Sequence, residues 1–201
     1  MGSVSWLWWA PLGAAALHIG EEFVYPGGFA TWDRKYRPGV RTSITPMLHF
    51  YANALLLLAC VAVGASGAPD GVVVVGGIRF RSVIPGSLSA AAWLTLAAVL
   101  FSNTVFHLIG TFQTRRVSPG VRTGVVLYVP LALVGYWYFL HTGHVSFVAA
   151  ALSALVGRII SGPRWCIGGV RGSRQRRHPT RELAAPCGAR RTRRGVRARL
   201  T

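Results

Sequence analysis

A histidine followed at short spacing by two adjacent acids lies near the end of the first apolar stretch. These residues are His18, Glu21 and Glu22. In a helix, residues three and four positions apart share a face, so both carboxylates are predicted to lie beside the imidazole. Imidazole nitrogen and carboxylate oxygen are the ligands that zinc, iron and manganese take in helical bundles. The motif therefore predicts a metal site or a proton-transfer site on the first helix.

Two histidine–asparagine pairs with four-residue spacing occur in later apolar stretches. They are His49 with Asn53, and Asn103 with His107. Each pair shares a helix face, and all three groups are predicted at a comparable depth, so a bundle can turn them toward one another. The predicted metal ligands are His18, Glu22, His49 and His107, and the predicted catalytic residues are Glu21, Glu22 and Asn103. Asn53 is predicted as a further polar residue that orients an imidazole or holds a water or substrate.

A purely structural role is the alternative for these residues. Glu21 and Glu22 lie near a helix end, where they can reach lipid head groups or pair with Arg34 or Lys35. His49 lies near the start of its helix and is an interfacial residue in this interpretation. An ionised acid at mid-span costs about 2.5–3.5 kcal/mol unless something offsets it. Three polar groups at one depth therefore favour a functional site.

The stretches that carry these residues are predicted to be membrane spans. Of the 201 residues, 52% are hydrophobic and 13% are charged, against about 25% charged in soluble domains. A spanning helix needs about 20 apolar residues. The pattern predicts an all-α, polytopic transmembrane helical bundle of about five spans: Val4–Tyr25, Ile44–Ala65, Leu88–Phe112, Thr123–Leu140 and Val145–Ser161. The run Val72–Val75 is short, β-branched and bounded by glycines, which predicts a loop hairpin rather than a sixth span.

The positions of lysine and arginine predict the orientation, because basic loops stay in the cytoplasm. Basic residues cluster after the first predicted span, as Arg34, Lys35, Arg37 and Arg41, and after the third, as Arg115, Arg116 and Arg122. The N-terminus is then outside and the C-terminus cytoplasmic. The chain is predicted to be an integral, multi-pass protein of the cell membrane.

The chain divides into an apolar body and a basic tail. Residues 1–162 are predicted to form the transmembrane helical domain. Residues 163–201 hold twelve Arg and one Glu and so carry +11 of the net charge of +17. This tail is predicted to be disordered and cytoplasmic. A frameshift near Gly162 is an alternative origin, since an out-of-frame GC-rich gene gives such a composition. Because most of the charge lies in the tail and the rest mostly in loops between apolar stretches, no specific nucleic acid is expected as a partner.

The two motifs together resemble a known family. The sequence His18-Ile19-Gly20-Glu21-Glu22, followed by Asn103-Thr104-Val105-Phe106-His107, resembles the HXXEE family of integral membrane proteins, which also carries an N-x-x-x-H motif. The similarity extends over most of residues 5–160. The family has no established function. The resemblance implies a polar site at the five motif residues, whereas His49 and Asn53 follow from spacing alone.

Three functions are compatible with this pattern. The first is a metal-dependent enzyme that uses zinc, iron or manganese on a lipid or isoprenoid-like substrate. The second is a metal-free lipid isomerase or lipid-binding protein. The third is a small proton- or ion-coupled transporter. The expected partners are membrane lipids and an apolar small-molecule substrate, and a homo-oligomer is a further expectation left open. The remaining alternative is that the polar groups only stabilise the bundle.

Overall fold

The computed structural model describes residues 5–37, 45–67, 72–75, 78–81 and 86–162. Its elements are α1 (Ser5–Val24), α2 (Gly28–Tyr36), α3 (Pro46–Ser66), β1 (Val72–Val75), β2 (Ile78–Arg81), α4 (Gly86–Thr114), α5 (Val121–Thr123), a π-helical turn (Gly124–Tyr128), α6 (Val129–His141) and α7 (Phe147–Ile160). The fold is helical, as predicted, apart from one short hairpin. The basic tail and Arg41 of the first predicted loop lie outside the described residues.

Three helices are long and apolar enough to cross a membrane. They are Pro46–Ser66, Gly86–Thr114 and the continuous helical stretch Val121–His141. Their outer surfaces are apolar: Leu55, Leu133 and Trp137 are each more than 60% exposed. A surface of this kind suits lipid rather than water. The first predicted span, now α1, is not among the three, and α7 has 14 residues, fewer than the ~20 that span a bilayer. The count of five spans and the orientation stay predictions.

The β-branched run forms a hairpin, as predicted. β1 and β2 pair in antiparallel register, with Val72 opposite Arg81 and Val75 opposite Ile78. A strand of four residues is far shorter than a membrane span, so no sixth span is present at this position.

Small residues allow α7 to pack closely against α4. The Ser153 hydroxyl donates to the carbonyl of Ala91 at 3.1 Å. At Gly157 an added Cβ would lie 2.6 Å from the Cβ of Ala98. Close helix approach through such residues is the usual way in which membrane helices associate. It fixes α7 on one side of α4 and leaves the other side for α1 and α3.

Two tryptophans hold α1 against its neighbours. The Trp93 indole of α4 donates to the carbonyl of Leu7 at 3.0 Å. Trp9 lies on Gly64 of α3, where an added Cβ would come within 2.8 Å of the indole ring. These contacts place α1 beside both α3 and α4, so the polar end of α1 faces the polar ends of the other two helices.

A short helix lies where a basic loop was predicted after the first span. In α2, Phe29, Trp32 and Asp33 are buried, whereas Arg34 is exposed. Asp33 also forms a buried ion pair with Arg37 at 3.2 Å. Apart from the Asp33–Arg37 pair the buried face is apolar, and the charged residues around it obscured this pattern in the sequence.

Candidate metal centre

Two helices bring two histidines and one glutamate into contact. His18 and Glu22 lie one turn apart on α1, and His107 lies on α4. One ligand atom from each lies within 4.8 Å of the other two. The three side chains are between 1% and 3% exposed, so they meet in the interior of the protein. We call these three residues the metal cluster.

One oxygen of Glu22 is the common neighbour of both imidazoles. Glu22 Oε1 lies 3.0 Å from Nε2 of His107 and 3.5 Å from Nε2 of His18. Two ligands that are each about 2.0–2.1 Å from a tetrahedral ion are about 3.3 Å apart. The two distances from Glu22 Oε1 therefore match the spacing expected of ligands to one ion.

The Nε2 atom of His107 has no hydrogen-bond partner among the described residues. It lies close to Glu22, but the carboxylate oxygen is not aligned for a hydrogen bond. The other ring nitrogen, Nδ1, lies 2.9 Å from the hydroxyl of Ser118. A metal ion would satisfy this nitrogen, so the donor set fits a divalent metal.

Hydrogen bonds around His18 fix which of its nitrogens can act as a ligand. Nδ1 lies 3.0 Å from the Thr123 hydroxyl oxygen, and that hydroxyl donates to Glu21 Oε2 at 2.6 Å. A hydroxyl has one hydrogen, so Nδ1 of His18 must donate to Thr123. Nε2 then keeps its lone pair and faces Glu22. Such outer contacts orient metal-binding imidazoles.

The two adjacent acids of the first motif have different surroundings. Glu22 belongs to the metal cluster. Glu21 Oε2 instead accepts from both the backbone N–H of Thr123, at 2.8 Å, and its hydroxyl. Glu21 therefore contacts the start of the helical stretch Val121–His141 and reaches the metal cluster through Thr123 and His18.

The second oxygen of Glu22 contacts the polar pair on α3. Glu22 Oε2 lies 3.2 Å from Nε2 of His49 and accepts from the Asn53 amide at 3.2 Å. His49 is thus beside the metal cluster but outside the group of three donors. On α4, the Asn103 amide lies 2.9 Å from Nε2 of His18. All seven site residues predicted from sequence lie in this region, six in one contact network and Glu21 at its edge.

The turn between α4 and α5 closes one end of the metal cluster. Gly120 has a φ of 89°, and an added Cβ would lie 2.8 Å from Cε1 of His18. Ser118 is fully buried. Tyr128, in the π-helical turn, is also fully buried, and its ring centroid lies 4.6 Å from that of His18. Sequence patterns mark a turn at Pro119-Gly120 but do not indicate that it folds back onto His18, so these contacts were missed.

An apolar cavity of about 630 Å³ ends at this site. Its polar end is formed by Glu22, His49, Asn53 and Asn103, and its walls are apolar side chains of α3 and α4. The other two residues of the metal cluster, His18 and His107, do not line the cavity. The cavity therefore connects to the metal cluster through Glu22, and the other two donors lie behind that residue.

One comparison with known proteins gives a match. A family model described as a protein of unknown function with HXXEE motif matches residues 8–135. This range extends from α1 into α6 and includes every residue of the metal cluster. No curated protein and no solved structure matches the chain.

Proposed function

The chain belongs to the HXXEE family, and from that premise we propose that it is a metal-dependent membrane enzyme that acts on an apolar, lipid-like substrate. The observation that carries the proposal is the convergence of His18, Glu22 and His107 in the interior, where Nε2 of His107 lies 3.0 Å from Glu22 Oε1 without an aligned hydrogen bond. Two imidazole nitrogens and one carboxylate oxygen suit zinc, iron or manganese. We place the protein in the cell membrane, on the strength of its three helices that could span one.

A bound divalent ion would polarise a substrate oxygen or activate a water molecule. In this proposal His18, Glu22 and His107 hold the ion. Thr123 and Glu21 keep Nδ1 of His18 protonated, which leaves Nε2 available as a ligand. The Ser118 hydroxyl lies beside Nδ1 of His107, as the Thr123 hydroxyl lies beside Nδ1 of His18.

The remaining polar residues act at the cavity end of the site. His49 and Asn53 contact Glu22 Oε2 and fix the orientation of the carboxylate. The Asn103 amide hydrogen-bonds Nε2 of His18, and a bound ion would take the lone pair of that nitrogen. Metal binding by His18 therefore releases the Asn103 amide, which can then hold a polar group of the substrate.

The test is elemental analysis of the full chain, purified in lipid nanodiscs without a polyhistidine tag. We expect near-stoichiometric metal that is lost in His18→Ala and in His107→Ala. The matched control is His144→Ala, because His144 is exposed and its ring contacts Thr142 rather than the metal cluster. Circular dichroism checks that each variant is folded.

The opposite result would support a second function. If the folded protein binds no zinc, iron or manganese even after supplementation, the metal-dependent enzyme is excluded. The apolar cavity that ends at polar groups would then favour a metal-free lipid-binding protein or lipid isomerase.

A further inference from the structure

We propose that the substrate is a single-chain amphiphile with an uncharged polar head, which enters sideways from the bilayer between α3 and α4. This inference rests on the proposed function, because it assigns the substrate class of the same site. It is argued from the shape, the lining and the rim of the apolar cavity.

The cavity is long and follows one helix. Both His49 and Val63 of α3 line it, and at ~1.5 Å per residue these positions are ~21 Å apart along the helix. That length is about two thirds of the ~30 Å hydrocarbon thickness of a bilayer. A volume of about 630 Å³ lies within the range of roughly 300–1,000 Å³ typical of small-molecule sites. One hydrocarbon chain with a small head fits this space, and a two-chain phospholipid does not.

The polar end of the cavity favours an uncharged head group. The described residues that line the cavity include no lysine or arginine, and Glu22 presents a carboxylate to it. A phosphate or sulfate would be buried beside that carboxylate with no lysine or arginine among the described lining residues, and an ion held behind Glu22 would already be shared with the carboxylate, so a second anion is unfavourable there. The amides of Asn53 and Asn103 can each donate and accept hydrogen bonds. They suit a hydroxyl, carbonyl or amide head.

The rim of the cavity reaches the apolar outer surface. Leu55 lines the cavity and is also 67% exposed, and Ile160 at the end of α7 lines it and is 62% exposed. α7 ends there, so no further turn of this helix covers the gap between α3 and α4 in the part of the chain that the structure describes. The opposite end of the metal cluster is closed by the buried turn at Ser118. Entry from the lipid phase is therefore the open route.

Photo-crosslinking of the full chain in nanodiscs tests the inference. The probes are hexadecanol carrying a diazirine on its chain and, for comparison, hexadecyl phosphate carrying the same group. We expect saturable labelling of α3 and α4 by the alcohol and roughly tenfold weaker labelling by the phosphate. The variant Ala59→Trp fills the cavity and should reduce alcohol labelling roughly tenfold. The control Leu58→Trp adds the same ring at the neighbouring position, which does not line the cavity, and should leave labelling unchanged.

Metal content measured on the same samples separates this inference from the proposed function. Normal metal content in Ala59→Trp together with lost labelling supports the inference. Equal labelling by the phosphate, or labelling that is spread over all exposed helices and unaffected by Ala59→Trp, overturns it while the metal site stands. Saturable alcohol labelling in a protein that binds no metal retains the substrate class and overturns the metal-dependent function.

Discussion

Nδ1 of His18 lies 3.0 Å from the hydroxyl oxygen of Thr123, although 105 positions separate the two residues in the chain. The same hydroxyl donates to Glu21, so a residue outside both sequence motifs joins the histidine and the first acid of one motif. Glu22, one position later, points instead into the metal cluster. The contact with Thr123 therefore separates the roles of two acids that the sequence leaves equivalent.

The two acids should differ in their effect on metal binding. Glu22→Gln removes a donor oxygen from the metal cluster and should abolish binding. Glu21→Gln leaves the three donors in place and weakens only the outer contact, for which a loss of about 10–100-fold in affinity is expected. The metal affinity of both variants is measured in nanodiscs by competition with a chelator. Equal losses in the two variants would show that Glu21 is itself a ligand.

The Thr123 hydroxyl should support metal binding without contacting the ion. Thr123→Val keeps the side-chain shape but removes the link between Glu21 and His18, so affinity should fall about 10–100-fold. Thr142→Val is the matched control, because that exposed hydroxyl caps the carbonyl of Tyr138 instead.

Non-additivity gives a further check on this link. In a Glu21→Gln/Thr123→Val double variant, residues that act through one contact should lose little more affinity together than either loses alone. Unchanged affinity in Thr123→Val, or fully additive losses in the double variant, would contradict the link.

A side chain at Gly120 should disrupt the metal cluster. Gly120→Ala places a Cβ about 2.8 Å from His18 at a φ of 89°, and we expect destabilisation of about 1–3 kcal/mol together with lost metal. Gly143→Ala separates the two causes, because Gly143 has a φ of 70° but no atom within 4 Å of an added Cβ. Thermal unfolding and metal analysis of both variants provide the measurement. Similar metal loss in both would mean that the contact with His18 is unimportant.

Loss of the Asn103 amide should separate metal binding from substrate binding. Asn103→Leu removes the group that hydrogen-bonds Nε2 of His18 at 2.9 Å, so an ion would no longer compete with it and metal affinity should not fall. Labelling by the hexadecanol probe should decrease roughly tenfold, because one of the two amides at the head-group end is gone. A loss of metal in this variant would assign Asn103 to the metal cluster instead.

Local sequence patterns determined the helices and which residues share a face. Apolar stretches of sufficient length predicted α1, α3, α4 and the stretch Val121–His141 to within a few residues, because helix periodicity and hydropathy are local properties. The β-branched run between glycines predicted the hairpin for the same reason. The fifth predicted span, Val145–Ser161, corresponds to α7, which is slightly shorter and covers Phe147–Ile160. α2 was missed because charged residues surround its apolar face.

Spacing alone also identified the residues that the structure brings together at the site, since three- and four-residue intervals fix a shared helix face. The tertiary structure decided how those faces are rotated and which atoms meet. It placed Glu22 between three histidines, placed Glu21 on Thr123, and folded the turn at Gly120 onto His18. These contacts join residues up to about a hundred positions apart, and they depend on how tryptophans and small residues pack the helices. Side-chain packing between helices is not a periodic property of the chain, so it is decided only when the helices assemble.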